Sequence, residues 1–286
     1  MPPSATAAGF SPWLVPDWPA PAHVHALCTT RAGGVSAGPY GLLNLGDHVG
    51  DVPAAVQANR DVLGQALAAA TPGARPVFLR QVHGTQVLAL ATDTPDGAEA
   101  DACVATTAGP VCTIMVADCL PVLLAHRSAR VVGAAHAGWR GLAGMGGQGV
   151  LETVFERFCQ EVLAQQEPSA IDLEVKRAVA ADTLAWLGSC IGPQAFEVGA
   201  EVREAFCHTD AQAGGHFEPR SGGKYLADLA ALARQRLAAL GVLQCYGNDS
   251  TAPWCTVGNP SSFFSHRRDT AALGGSGRFA ACVWLG

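Results

Sequence analysis

Residues 113–125 read TIMVADCLPVLLA, and the reading of this stretch decides the fold. It is rich in β-branched and apolar side chains, too short to cross a bilayer, and interrupted by Asp118 and Pro121. Such a run is a buried β-strand. Two further runs have the same character, VFLRQV at 77–82 and RVVGAA at 130–135. Each of the three carries a candidate ligand: His83 directly after the first, Cys119 beside Asp118 at the polar break of the second, His136 directly after the third. If the strands neighbour one another, their ends bring two imidazoles and a thiol together.

Two imidazoles and a thiolate suit a zinc ion, and three protein ligands leave a fourth position open for water or substrate. The spacing is not that of a zinc finger or ribbon: His83 stands 36 positions before Cys119, and Cys119 stands 17 before His136. Each residue alone reads equally as structure, Cys119 as a core thiol and the histidines as hydrogen-bonded core groups. Spacing leaves both readings open.

Composition narrows the class. Of 286 residues, 49% are hydrophobic and only 15% charged, which implies a compact protein with a well-developed core. The formal net charge of −6, with no cluster of Lys and Arg, speaks against nucleic acid as a partner. No stretch reaches membrane-spanning length, and the N-terminus lacks the basic region and apolar core of an export signal. A cytoplasmic protein is expected. The ten cysteines include no CxxC pair, and Cys28, Cys103, Cys112, Cys159, Cys207, Cys245 and Cys282 sit in apolar settings where thiols pack as small hydrophobes. Cys190 and Cys255, in polar loops punctuated by Gly or Pro, stay open.

One domain is expected over residues 1–286, with an irregular entry over 1–22. A strand at 23–30 leads into a glycine-rich loop at 31–51 that suits a pocket wall. A helix is predicted over 52–70, with Asp51 as its cap and Pro53 in its first turn, and another over 226–240. The glycines of 144–147 lack the endings of a phosphate or dinucleotide loop and read as structural or as a flexible insertion. Short strands are expected near 242–247 and 279–285. Strands and helices alternate without a regular βαβ beat, so the fold class is α+β, a single layered domain of central β-sheets flanked by helices.

Several segments together resemble one known family: TTRAGGVSAGPYGLLNLGDHVGD, ANR, RQVHG, VADCLPVLL, AAHAGWRG, GSCIGPQAFEVG, KYLADL, FFSHRRD and GRFAACVWL, spread over residues 29–285. It is the YfiH/YlmD/LACC1-type family, variously described as purine nucleoside phosphorylases, multicopper polyphenol oxidases and peptidoglycan editing factors. The resemblance implies a YfiH-like domain, akin in architecture to cysteine hydrolases of the bacterial toxin deamidase type, with His83, Cys119 and His136 as catalytic metal ligands. It implies Zn2+, or copper, as cofactor. It further implies phosphorolysis of adenosine, inosine, guanosine and methylthioadenosine, and deamination of adenosine, so that the partners are purine nucleosides and phosphate, in a monomer or a homodimer. The chain departs from the family at His266, where tyrosine is usual, at Ser189, where proline is common, and in expanded stretches after Trp139 and over 165–181.

Phosphorolysis requires a held phosphate, and arginine forks bind its oxygens while keeping their charge. The candidates are Arg31, Arg60, Arg140, Arg267 and Arg268, with Arg60 and Arg140 foremost, and Asn44 is a candidate for ribose hydroxyls or a base edge. Asp118 reads either as a proton carrier or as a strand-end carboxylate satisfied by backbone amides. Rival readings are a hydrolase of cell-wall precursors with Cys119 as nucleophile and His136 as base, a copper-dependent phenol oxidase, and a noncatalytic binding protein.

Overall fold

The structure, a computed structural model, describes residues 13–165 and 173–286. The expected irregular entry and export-signal reading therefore lie largely outside the described residues, as does part of the expanded stretch 165–181. Strand β1 (Val24–Cys28) leads through a long loop to helix α1 (Pro53–Ala70). There follow β2 (Arg75–Phe78), β3 (Val87–Leu90), β4 (Ala102–Ala105), β5 (Pro110–Val116), β6 (Leu120–His126) and β7 (Val132–Ala137). Helices α2 (Trp139–Ala143), α3 (Val150–Ala164) and α4 (Leu173–Ala181) precede β8 (Thr183–Leu187). The rest comprises β9 (Glu197–Val198), α5 (Ala200–Cys207), β10 (Phe217–Pro219), β11 (Tyr225–Ala227), α6 (Leu229–Ala239), β12 (Gln244–Gly247), α7 (His266–Leu273) and β13 (Phe279–Leu285).

Two sheets carry the core. One has the order β1-β13-β5-β2 and the other β12-β8-β6-β7-β4-β3, while β10-β11-β9 form a small third sheet. Because side chains alternate along a strand, each buried strand feeds two separate cores. Ile114, Val116, Ala281 and Val283 meet Cys103, Leu123, Val132 and Ala134 between the two large sheets. Met115, Cys282 and Trp284, on the opposite face, pack against Leu63 and Leu67 of α1. Val104, Val122, Leu124 and Ala135 pack against Val154, Phe158 and Val162 of α3. The layers run helix, sheet, sheet, helices, which is the expected α+β layering. Among the described residues no helix is long and apolar enough to cross a membrane.

The stretch 113–125 is two strands, not one. Its first part ends as β5 in the four-stranded sheet, and its second begins as β6 in the six-stranded sheet. Asp118, with φ of +89°, lies in the left-handed region between them and turns the chain from one sheet to the other. Its neighbour strands separate accordingly: β2 pairs with β5, and β7 pairs with β6.

Two helix starts also differ from expectation. Val52 is the N-cap of α1, and Pro53 occupies the first helical position, where its missing N–H costs nothing. Asp51 caps nothing beyond its neighbour's amide; its Oδ2 accepts from Ser36 Oγ at 2.6 Å and Asn44 Nδ2 at 2.9 Å, pinning the 31–51 loop. The second helix starts at Leu229 because residues 225–227 are drawn into the small sheet and Asp228 caps it, accepting from the Ala231 amide at 2.9 Å. Of the glycines at 144–147, Gly144 is fixed by packing, since a Cβ there would fall 2.0 Å from the Gln148 carbonyl oxygen, while Gly146 faces open space.

Candidate active site

His136, near the end of β7, shares the parity of Val132 and Ala134 and so faces the seam between the sheets. Cys119 lies on the three-residue passage between β5 and β6, with the parity of Leu123 and Ala125. His83 stands beyond β2 in a turn where it holds φ of +62°. The ligand atoms of the three residues all lie within 4.8 Å of one another, and Cys119 Sγ is 3.6 Å from His83 Nε2. The two imidazoles meet edge to face at 4.7 Å.

A buried carboxylate organises the group. Asp101, fully buried just before β4, accepts from the backbone amides of Val82, His83 and Gly84 at 3.1, 2.9 and 2.7 Å. These bonds hold His83 in its left-handed conformation, which an ordinary side chain rarely adopts. Asp101 Oδ1 also lies 2.8 Å from His136 Nδ1, leaving Nε2 for the cluster. Burial would raise the Asp101 carboxyl, but the bond to His136, that residue's charge and the amides outweigh it and hold the group below the usual range.

Cys119 and His136 shift each other. Burial opposes the thiolate, yet the charge of His136 and hydrogen bonds from both histidines bring the thiol down to about 6. Burial likewise opposes the imidazolium, while the charge of Cys119 and the bond to Asp101 push His136 up to about 9. Without a metal the thiolate is thereby paired with an imidazolium; a cation bound there would keep the thiolate and displace the Nε2 proton of His136.

Room for this arrangement comes from glycine. A Cβ on Gly138 would lie 2.7 Å from His83 Cδ2 and 3.0 Å from Cys119 Sγ, and one on Gly141 would lie 2.7 Å from the Gly84 carbonyl oxygen.

The cluster forms part of the wall of a cavity of about 410 Å3. Its apolar lining includes Met115, Trp139, Ile191, Phe196 and Leu229, its cationic lining is Arg140, Arg267 and Arg278, and Gln81, Asp118, His48 and His266 add further polar groups. Two of the five predicted arginines are thus brought to the cluster. Arg140 is exposed, with its guanidinium 4.5 Å from the centre of the Trp139 ring. Arg267 donates to the carbonyls of Ala195 and Glu197 and stands over Phe196.

The other predicted ligand-binding residues are placed elsewhere. Arg31 donates to the carbonyls of Gly41 and Pro260 and packs on Phe264. Arg60 donates to the Leu45 carbonyl, pairs with Asp47 and covers Phe78. Arg268 holds Asp269 and the carbonyls of Thr256, Val257 and Phe263. Asn44 is fully buried, and its side-chain amide is engaged by Gly46, Asp51 and the Arg278 amide. Residue type alone does not tell an arginine that holds a loop from one that awaits an anion.

Asp118 lines the cavity and accepts from one hydroxyl and one backbone amide. Oδ1 accepts from Thr256 Oγ1 at 2.5 Å and Oδ2 from the Arg267 amide at 2.6 Å. Ser189 is fully buried, and His266 lines the cavity as the first residue of α7. Asp101 and Arg278 escaped the sequence reading. Asp101 has one usable signal, an acidic residue between small apolar ones at the start of a strand, AEADACVA.

A family model described as multi-copper polyphenol oxidoreductase laccase matches residues 25–286. The chain is 46% identical over 276 residues to the purine nucleoside phosphorylase YfiH of Escherichia coli, a match covering 96% of this chain and 100% of that one. It is 44% identical over 275 residues to a purine nucleoside phosphorylase of Pseudomonas aeruginosa, covering 96% and 98%. Among solved structures it is similar to a Neisseria meningitidis protein of the DUF152 family, with a TM-score of 0.77, 42% identity and coverage of 96% and 98%. It is also similar to YlmD from Geobacillus stearothermophilus, with a TM-score of 0.78, 28% identity and coverage of 100% and 99%.

Proposed function

The chain belongs to the YfiH family, and from that membership and its cavity we propose that it is a zinc-dependent purine nucleoside phosphorylase that also deaminates adenosine. Its substrates are adenosine, inosine, guanosine and methylthioadenosine, with phosphate, in the cytoplasm. One observation carries the proposal: a three-ligand His, Cys, His group opens onto a cavity whose lining combines apolar side chains with three arginines.

The donor set fits the metal. Two imidazoles and one thiolate match borderline-soft zinc, and copper accepts the same donors. His83, Cys119 and His136 would hold the ion, which would supply Lewis acidity, lowering the pKa of a water to about 7 or polarising a substrate oxygen. The chain's own residues do the remaining work. Asp101 fixes the tautomer and orientation of His136. Trp139, Phe196 and Ile191 give the purine an apolar surface and exclude water. Arg140 and Arg267 offer positive charge to phosphate as the glycosidic bond lengthens. Among the described residues one His/Cys group of this kind occurs, which fits a single ion.

A second reading draws on the lowered Cys119 thiol beside His136: a hydrolase acting on peptidoglycan precursors, with Cys119 attacking and His136 moving the proton. Incubating zinc-loaded protein with adenosine, with and without phosphate, separates the readings. Adenine with ribose 1-phosphate only when phosphate is present, and inosine without it, are the expected products, both lost in His83→Ala. Unchanged adenosine in both conditions overturns the nucleoside reading and moves the substrate search to muropeptides.

A further inference from the structure

Arg278 stands immediately before β13 and lines the cavity together with Cys119 and Asp118, whose negative charge acts on its guanidinium. Nη1 is committed to two backbone carbonyls, Ser276 and Gly277, each at 3.0 Å. Nε and Nη2 have no acceptor among the described residues, so one edge of the fork remains for a ligand. Burial draws this guanidinium below its ordinary value, and the negative groups of Cys119 and Asp118 only partly offset that cost. A partly desolvated cation with an open edge is a site for an anion.

The loop at 44–46 is built around this arginine. Asn44 Oδ1 accepts from both the Gly46 amide at 2.9 Å and the Arg278 amide at 2.8 Å, while Leu45 donates its amide to the Arg278 carbonyl at 3.0 Å. A Cβ on Gly46 would sit 2.8 Å from Arg278 Cγ, so only glycine lets the side chain lie across the loop. Asn44 therefore reaches the cavity through Arg278 rather than by touching a nucleoside.

Resting on the phosphorylase reading above, we propose that Arg278 is the phosphate anchor of the cavity, and that Asn44 and Gly46 are its positioning residues. Its open edge receives two phosphate oxygens, and Arg140 and Arg267 add charge from other parts of the cavity lining.

The test titrates the metal-loaded protein with inorganic phosphate by calorimetry and measures KM for phosphate in parallel, in wild type, Arg278→Ala, Arg278→Lys and Gly46→Ala. Removing the fork is expected to weaken phosphate binding roughly tenfold or more and to raise the KM for phosphate in step. Lysine should restore only part of the affinity, since it keeps the charge and loses the fork. Gly46→Ala displaces the side chain without removing it, and should weaken phosphate binding while metal content holds. Equal phosphate affinity in wild type and Arg278→Ala overturns the inference and leaves phosphorolysis standing if the phosphate-dependent product persists. Failure of wild type to bind phosphate, together with no phosphate-dependent product, removes both.

Discussion

His136 Nδ1 and Asp101 Oδ1 lie 2.8 Å apart, and this contact decides which imidazole nitrogen faces the cavity. Asp101 thereby does two tasks at once, since its oxygens also hold the amides on either side of His83. Asp101→Asn keeps the shape but removes the charge and turns one acceptor into a donor. Metal affinity, measured by competition with a chromophoric chelator, should fall by about 10–100-fold. An unchanged affinity would mean that the carboxylate serves the fold alone.

The ionisation of Cys119 gives a pH signature. Its folded pKa of about 6 lies well below the ordinary thiol range, so in metal-free protein the thiolate is present above about 6 and is lost as pH falls through that value. Iodoacetamide should label Cys119 at a rate that climbs through this region and then levels off. Burial raises the thiols of Cys28, Cys112, Cys159, Cys190, Cys245 and Cys282, which should stay unlabelled in the native protein. Zinc added beforehand should protect Cys119. Peptide mass spectrometry reads all three outcomes.

Gly138 tests how closely the ligands must approach. A methyl group in Gly138→Ala drives into His83 and Cys119, at an overpacking cost of about 1–3 kcal/mol concentrated on two ligands. Bound zinc per chain should fall sharply while circular dichroism keeps the native spectrum. Full zinc occupancy would show that His83 can give way.

Arg268 should separate architecture from chemistry. Its guanidinium satisfies buried Asp269 and three backbone carbonyls, and removing it leaves that carboxylate short of a partner. Arg268→Met should lower stability by about 1.5–3 kcal/mol in urea denaturation. The KM for phosphate should stay at the wild-type value, because Arg268 does not line the cavity.

How much of this was legible beforehand depended on the kind of signal. His83, Cys119 and His136 stood out as ligand types bordering or breaking apolar runs, and the resemblance to a known family is what marked them as metal ligands. Asp101 was hidden because its role depends on pairing β4 with β7, which puts Ala102 opposite Ala135 and the Asp101 carbonyl 2.7 Å from the His136 amide. No local pattern encodes that register. The break at Asp118 was invisible for another reason: β5 and β6 are each buried on both faces, so the run stays apolar across the point where the chain changes sheets. Arg31, Arg60 and Arg268 resembled phosphate ligands by type alone, and only the folded backbone shows that their hydrogen bonds are already taken.

The passage through Ala117, Asp118 and Cys119 has a mechanical consequence. His83 hangs from the end of one large sheet, His136 belongs to the other, and Cys119 rides on the peptide between them. An ion gripped by all three is a rivet through the sandwich. Its binding would add to resistance against unfolding by mass action, about 2.7 kcal/mol when the free ion is at a hundred times its dissociation constant. The ion of the proposed reaction and the clamp on the two sheets would then be the same object, and stripping it would loosen the seam on which the cavity opens.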